Sequence, residues 1–446
     1  MSSRLSRRDF LKRTSVIGVG VILASCGGGG AQPAAPAAKE GEAPKEAAPA
    51  AAAVVLQQWY HEYGEKGTQE AVFRIADEYN NMQDKVKVEV TWNPGDYRSK
   101  LYSALAAGTG PDCYEDQVTI DKVANKQVVS LDDLYEGVED DFNPTDLDAV
   151  TIKGTKYGIR MIVDFGLLCT RNSMLEEAGL KHPETWDEMV ENAKALTTGR
   201  RKGLFLGNDG GIHSMWQPIT YTAGVNFLTE EDPEMTLKFN QPETVLAWDK
   251  LRAINNDMDV LLLGAPTDWW DPAAFIQGQT AMQWIGFWEV PGLLDGVGED
   301  FTISALPPMN GVDNPRPATW RRGWVALVND GEHVPEAKAY TKWQWIENTD
   351  WQNEWNTGYG FHVPPRKSAG ESNAKLSKMP AQAGVDAVNK YGLNYGVLWT
   401  SGMQTAIEDS LTEIIKNGGD VAAGVQAAYD KCNEQLAENV AEFNKL

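Results

Sequence analysis

The sequence predicts an α/β protein of two lobes, and two observations carry that prediction. Strand-like and helical patterns alternate along the chain, the signature of sheets covered by helices. Residues 54–446 are also too many for one ordinary hydrophobic core, so the core should divide. No internal repeat organises the sequence.

The folded part follows a leader. Ser6 to Lys12 reads S-R-R-D-F-L-K, a paired arginine before a short apolar run, which is the pattern of a twin-arginine export signal. The run, Val16 to Ala24, is nine residues long. A membrane span needs roughly 20, so the run reads as a signal segment outside the fold, with a short N-terminal anchor helix as the alternative. It ends in Leu23-Ala24-Ser25-Cys26, which resembles a bacterial lipobox. Residues 1–26 are therefore expected to be a signal ending at a lipidated Cys26, whose lipid would hold the protein on the outer face of a membrane. Residues 27–53 are almost wholly Gly, Ala, Pro, Glu and Lys, and read as a disordered linker.

Val54 to Trp59 is a candidate first strand. Val72, Ile75, Tyr79 and Met82 recur at helical spacing, and Lys85 to Val90 alternates with period two, so the domain should open β-α-β. Asp96 to Ala107 reads as a helix stopped by Gly108 and Gly110-Pro111. Cys113 and Tyr114 begin another strand. Thr185 and Glu188 form a capping box for a helix over Trp186 to Thr198. Two helices close the chain, one marked by Ile407, Leu411, Ile414 and Ile415, the other by Val421, Val425, Cys432, Leu436, Val440 and Phe443.

Composition excludes several functions. The chain holds 40 Lys and Arg against 63 Asp and Glu. With the 7 basic and 4 acidic residues of 1–53 set aside, the remainder has 33 against 59, net −26. Such acidity opposes nucleic acid and anionic membrane surfaces and also serves plain solubility. After Cys26, three cysteines remain: Cys113, Cys169 and Cys432. They are too few for a disulfide framework and fit no zinc spacing, so buried thiols are expected, with one bridge left open. The five histidines have no metal-ligand spacing, and no phosphate loop, nucleophile elbow or calcium loop is present. No cofactor or metal is expected. Glu62, Asp116, Asp164, Asp268, Asp271 and Glu289 supply carboxylates for a glycosidase, but sequence cannot set any two at the required separation. Sixteen tryptophans, many beside Gly, Pro or Asp, suggest that a few line a pocket rather than a core.

Several segments together resemble the family 1 extracellular solute-binding proteins, from about Val54 to the C-terminus. Leu101 to Asp112 resembles the family's helix, glycine turn and Pro-Asp entry to a strand. Gly154 to Asn172 resembles its crossing segment, with Arg160 where proline is usual and Arg171 where tyrosine is usual. Leu175 to Leu180, Pro183 to Glu188, Phe275 to Met282 with Gly286 and Trp288, Leu306-Pro307-Pro308 leading to Arg322-Gly323-Trp324, and Gly358 to Ser368 match later segments in order.

The resemblance implies a periplasmic-binding-protein-like fold, in which two α/β lobes close about a hinge on a ligand in the cleft. One lobe would hold residues 54–163 and 306–348, the other 164–305 and 349–446. The implied role is capture of a carbohydrate outside the cell by a monomer that delivers it to an ABC permease, without catalysis. Sugars present apolar faces to aromatic rings and hydroxyls to charged side chains. Trp288 falls at a stacking position of the family, as do Trp399 and the pair His213 and Trp216. Asp116 and Asp164 resemble hydroxyl acceptors, with Gln117 or Phe165 as the alternatives one residue on, and Glu289 follows the stacking tryptophan. Tyr60, His61, Glu62 and Tyr63 follow the first strand, where open α/β sheets bind ligands. Arg321, Arg322 and Trp324 would reach the cleft from another crossing. Arg322 stands where glycine is common, and its bulk and charge would favour an acidic sugar. Two other classes remain: a same-fold binder of a polyamine or phosphoester, and a secreted glycosidase.

Overall fold

The computed structural model describes residues 53–231 and 234–446. The segments expected to be an export signal, a lipidated Cys26 and a linker, up to residue 52, lie outside the described residues. In chain order, the strands that position the site begin with β1 (Val54–His61), β2 (Val86–Asn93), β3 (Cys113–Asp116), β4 (Ile159–Arg160), β5 (Gly166–Arg171) and β6 (Lys202–Phe205). They continue with β7 (Thr280–Gly286), β8 (Phe301–Ser304), β9 (Thr319–Trp320), β10 (Val325–Val328) and β11 (Gly392–Leu393). The helices that matter are α1 (Thr68–Met82), α2 (Tyr97–Ala106), α3 (Ile120–Ala124), α4 (Pro144–Asp148), α5 (Trp186–Leu196), α6 (Ile212–Thr222), α7 (Thr349–Thr357), α8 (Ala381–Tyr391), α9 (Ser401–Asn417) and α10 (Val421–Lys445).

The chain opens β-α-β as its periodicity requires. β1 pairs in parallel with β2 from Val54↔Val86 to His61↔Asn93, and α1 buries Ala71, Val72, Ile75 and Ala76 across them. The first sheet runs β2-β1-β3-β10-β4, with β10 antiparallel to both neighbours. The second runs β8-β5-β7-β6. Its inner strand β7 is buried along its whole length, which is why its sequence shows no alternation of apolar and polar residues. α5 is capped at Thr185, whose hydroxyl accepts from the Glu188 amide at 3.3 Å. The return bond of the capping box goes to the Glu184 amide instead of Thr185, at 2.8 Å. Cys113, Cys169 and Cys432 are free and buried.

Three segments carry the chain between the sheets, and they lie side by side. Asp164 and Arg322 exchange backbone hydrogen bonds of 2.7 and 3.0 Å; Val163 and Val363 exchange bonds of 2.9 and 3.1 Å. The Met161 amide donates to Trp324 at 2.9 Å. Gly323 permits this approach. Its φ is +148°, and an added Cβ would stand 1.9 Å from the Ile162 carbonyl oxygen.

The crossings fall at 161–166, 321–324 and 361–363, which corrects two expected boundaries. Residues 306–320 stay with the second sheet, since the Met309 amide bonds Thr222 and the Trp186 amide bonds Pro308. Helix α7 stays with the first, where Trp351 and Trp355 join the core around Leu56, Tyr60 and Val72. Around the second sheet, Phe165, Leu167, Ile285, Phe287 and Ile303 pack with Val363 of the third crossing and with Val388 from beyond it.

Candidate functional site

The crossing segments form the floor of a crevice between the two sheets. Gly323 and Arg322 sit at its centre, and side chains from both sheets converge there. On one side lies a cavity of about 380 Å³, in the range of small-molecule sites. Its walls come from α2, the end of β3, α3, Arg160 of β4, and the segment from Asn394 to Gln404.

Charge in this cavity is arranged unevenly. Asp116, 1 % exposed, is held by Lys122 at 2.8 Å and Arg98 at 3.1 Å. Burial alone would raise its carboxyl, but the two cations outweigh burial and hold it below the usual range. Gln117 donates to the Gly323 carbonyl at 2.7 Å, and Arg160 to the same carbonyl at 2.7 Å. The Arg322 guanidinium lies 4.4 Å from the Tyr395 ring, 5.6 Å from Trp216 and 5.7 Å from Trp320. It donates to the Gln217 side chain. Trp399 lines the cavity and stacks on Trp216, centroids 5.6 Å apart and planes 12° from parallel.

On the other side of Arg322, three tryptophans meet. Trp288 is 6.0 Å from Trp269 and 6.3 Å from Trp320, and Trp269 is 6.4 Å from Trp320. Gly286 lets Trp288 fold back on its own strand, because an added Cβ would stand 2.3 Å from the indole. Carboxylates gather nearby. His362, 4 % exposed, pairs through Nδ1 with Asp164 and through Nε2 with Glu65 at 3.0 Å. Burial opposes the imidazolium, but Asp164 and then Glu65 overcome burial and push it up to about 10. Glu289 is pushed up to about 7, first by burial and then by the charges of Glu65 and Asp271.

Glu289 yields a pH prediction. Its folded value lies above the ordinary 4.5, so its contribution to stability is full below pH 4.5 and is lost as pH rises through about 7. Glu289→Gln should gain stability over the parent protein across that rise. Denaturant midpoints of the two chains at pH 4.5 and pH 8 measure it; a constant difference would remove the strained-carboxylate account.

The structure gathers most of the expected residues and disperses others. Asp116, Gln117, Arg322 and Trp399 line the cavity. Trp288 and Glu289 stand half-buried at the tryptophan side, and Asp164 bonds His362 there. Trp324 stacks on His61 at 4.0 Å, with Arg98 4.9 Å from its ring. Tyr60 does not reach the crevice: it is 0 % exposed, because alternation along β1 turns it into the core, where Gln344 bonds its hydroxyl at 2.8 Å. Tyr63 is buried and donates to Glu115 at 2.6 Å, and His61 meets the same carboxylate through its amide and Nδ1. Glu62 is exposed. His213, exposed in the first turn of α6, meets Glu408 at 2.8 Å, a carboxylate that also accepts from Gln404 of the cavity wall. Trp216 backs Trp399 and is 2 % exposed. Phe165 packs on Phe287, and Arg321 turns away to Asp146.

Sequence reasoning missed Glu65, Arg98, Glu115, Lys122, Trp269, Trp320, His362 and Tyr395. Trp269 had a signal, being a tryptophan between Asp268 and Asp271-Pro272, where the chain turns. His362 lay within a recognised segment. Glu115 gave none, since its pairing with His61 and Tyr63 across the fold leaves no local pattern, and Lys122 gave none because a loop and not a helical or strand spacing separates it from Asp116.

Residues 74–384 match the family model of bacterial extracellular solute-binding proteins. No curated protein is matched by the sequence. Among solved structures, the GacH receptor of Streptomyces glaucescens, solved unliganded and with acarbose, is similar at a TM-score of 0.74 and 17% identity, over 86% of this chain and 99% of that one. A tagatose-bound ABC transporter solute-binding protein from Thermotoga lettingae gives 0.72 and 18%, over 86% and 100%. The maltose-bound MalE3 of T. maritima gives 0.72 and 19%, over 85% and 99%. At such identities the likeness is one of fold.

Proposed function

Since the chain belongs to the bacterial extracellular solute-binding proteins, we propose that its solute is a carbohydrate, captured in the crevice and delivered to an ABC importer without chemical change. One observation carries this reading: half-buried indoles stand on one side of Arg322 and hydrogen-bonded charged side chains line the cavity on the other, the mixture that a sugar's apolar faces and hydroxyls require. Trp288, Trp269 and Trp320 supply the rings, and Arg322, Asp116 and Gln117 the polar partners. The solved relatives of like fold hold acarbose, tagatose and maltose, which agrees with it. A ligand bridging both sheets would favour a closed arrangement about the three crossings, and the importer would read that closure.

A thermal-shift screen of the full chain against mono-, di- and oligosaccharides, uronic acids, polyamines and phosphoesters tests the reading. A ligand at 100 times its dissociation constant adds about 2.7 kcal/mol. A rise with one sugar class alone supports carbohydrate capture. A rise with amines or phosphoesters alone would replace the ligand class, and sustained release of reducing sugar would point to a glycosidase instead.

The anchor belongs to the same proposal. Lipid on Cys26 would hold the domain at the extracytoplasmic face beside its permease, with residues 27–53 as the tether. Cys26→Ala is expected to move the protein from the membrane pellet into the soluble extracytoplasmic fraction. A variant still pelleting with membranes would reject lipidation.

A further inference from the structure

Resting on the carbohydrate reading, we propose that the sugar is an anionic one, whose carboxylate, sulfate or phosphate is held by Arg322 and Arg160 in the crevice cavity. Four cations line this cavity: Arg98, Lys122, Arg160 and Arg322. Two carboxylates, Asp116 and Asp121, oppose them. Asp116 is consumed by Arg98 and Lys122. Asp121 is exposed to solvent, where its charge is screened. Two guanidinium groups are left without a full counter-charge at the cavity wall.

Arg322 has no carboxylate within ion-pair distance among the described residues. Aromatic faces and a neutral amide hold it in place, and its buried Nε bonds nothing. Arg160 is 3 % exposed. Its Nε, also unbonded, is 3.9 Å from Asp146, too far for a hydrogen bond, and Asp146 gives its close bonds to Arg321. A buried donor on a charged group that lacks an acceptor costs stability. Two such donors at one cavity wall are accounted for if an anion completes them. The placement is also local: a chain of net charge −23 repels anions at long range, so the cations act within the crevice and not by steering. The guanidinium plane pairs with carboxylate, sulfate or phosphate through two parallel bonds. Trp399 and Tyr395 line the same cavity, beside the place of the sugar that bears the charge.

The experiment is calorimetric titration of the full chain with glucuronate, galacturonate and mannuronate and their disaccharides, each paired with its neutral parent sugar. Sugar sulfates and sugar phosphates form two further arms, which distinguish the three anions. Because hydrogen bonds to a charged group are stronger than neutral ones, a charged sugar should bind about tenfold or more tighter than its neutral parent. Arg322→Gln should weaken the charged sugar far more than its neutral parent and so abolish that preference, and Arg322→Lys should keep part of it. Equal or tighter binding of neutral sugars overturns the anionic assignment and leaves carbohydrate capture intact. A preference for charged sugars that survives both Arg322→Gln and Arg160→Gln overturns the assignment to these residues. Binding of amines alone, or of none of the sugars, overturns both readings.

Discussion

Asp146→Ala should cost the fold roughly 3–5 kcal/mol, the penalty for removing one partner from a buried ion pair. Asp146 is 2 % exposed, on α4. It accepts two bonds from Arg321, which is 4 % exposed: 3.1 Å from Nε and 2.7 Å from Nη2. Its charge is also the main one supporting Arg160, whose guanidinium burial pulls below its usual range. Loss of the carboxylate therefore strands two buried cations, not one. Arg321 also donates to Asn389 of α8 at 3.3 Å, so the pair ties the second crossing to elements from both sheets. Asp146→Asn, which keeps shape and an acceptor, should cost less. The measurement is a urea titration at fixed slope, where the midpoint falls and the slope stays. A midpoint unchanged in Asp146→Ala would mean that solvent reaches these groups and that the pair does not secure the crossing.

The fold was legible where a local pattern reports a global fact. Period two gave β2, period 3.6 gave α1 and α5, and glycines and capping residues marked where they stop. The crossings were legible only roughly. Residues 306–320 and 349–357 carry no sign of the sheet they join, because that choice is made by Met309 against Thr222 and by Trp351 and Trp355 against Tyr60. The same limit governs the site. Trp288 and Trp399 could be singled out from their neighbours in sequence. The burial of Tyr60 had no sign in its neighbours, because one position along a strand separates crevice from core. The charge balance of the cavity was the least legible of all. It depends on Lys122 reaching back to Asp116 and on Asp146 preferring Arg321 to Arg160, pairings between residues up to 175 positions apart. Arg322, Arg160 and Asp116 stood out beforehand one by one, but not the pairings that set their balance.

Trp288→Ala should lower affinity for the captured sugar at least tenfold, about 1.4 kcal/mol, and leave the protein folded. The indole is half-buried and belongs to none of the buried core clusters. Its contacts are with the Gly286 backbone, with the edge of Trp269 and with Trp320, so truncation opens the crevice wall and not the interior. That limits the loss of stability below the roughly 3–5 kcal/mol of a core tryptophan. The lost affinity has two sources. The ring's free face no longer covers the apolar side of a sugar, and Trp269 and Trp320 lose the neighbour that orients them. Trp288→Phe keeps a face and should recover part of the binding; a non-aromatic Trp288→Leu should not, although it restores much of the apolar area. Titration calorimetry with the sugar found in the screen, beside denaturation midpoints for each variant, separates binding from folding. Unchanged affinity in Trp288→Ala would move the stacking surface to Trp399 and Tyr395, across Arg322, and would leave the tryptophan trio as packing.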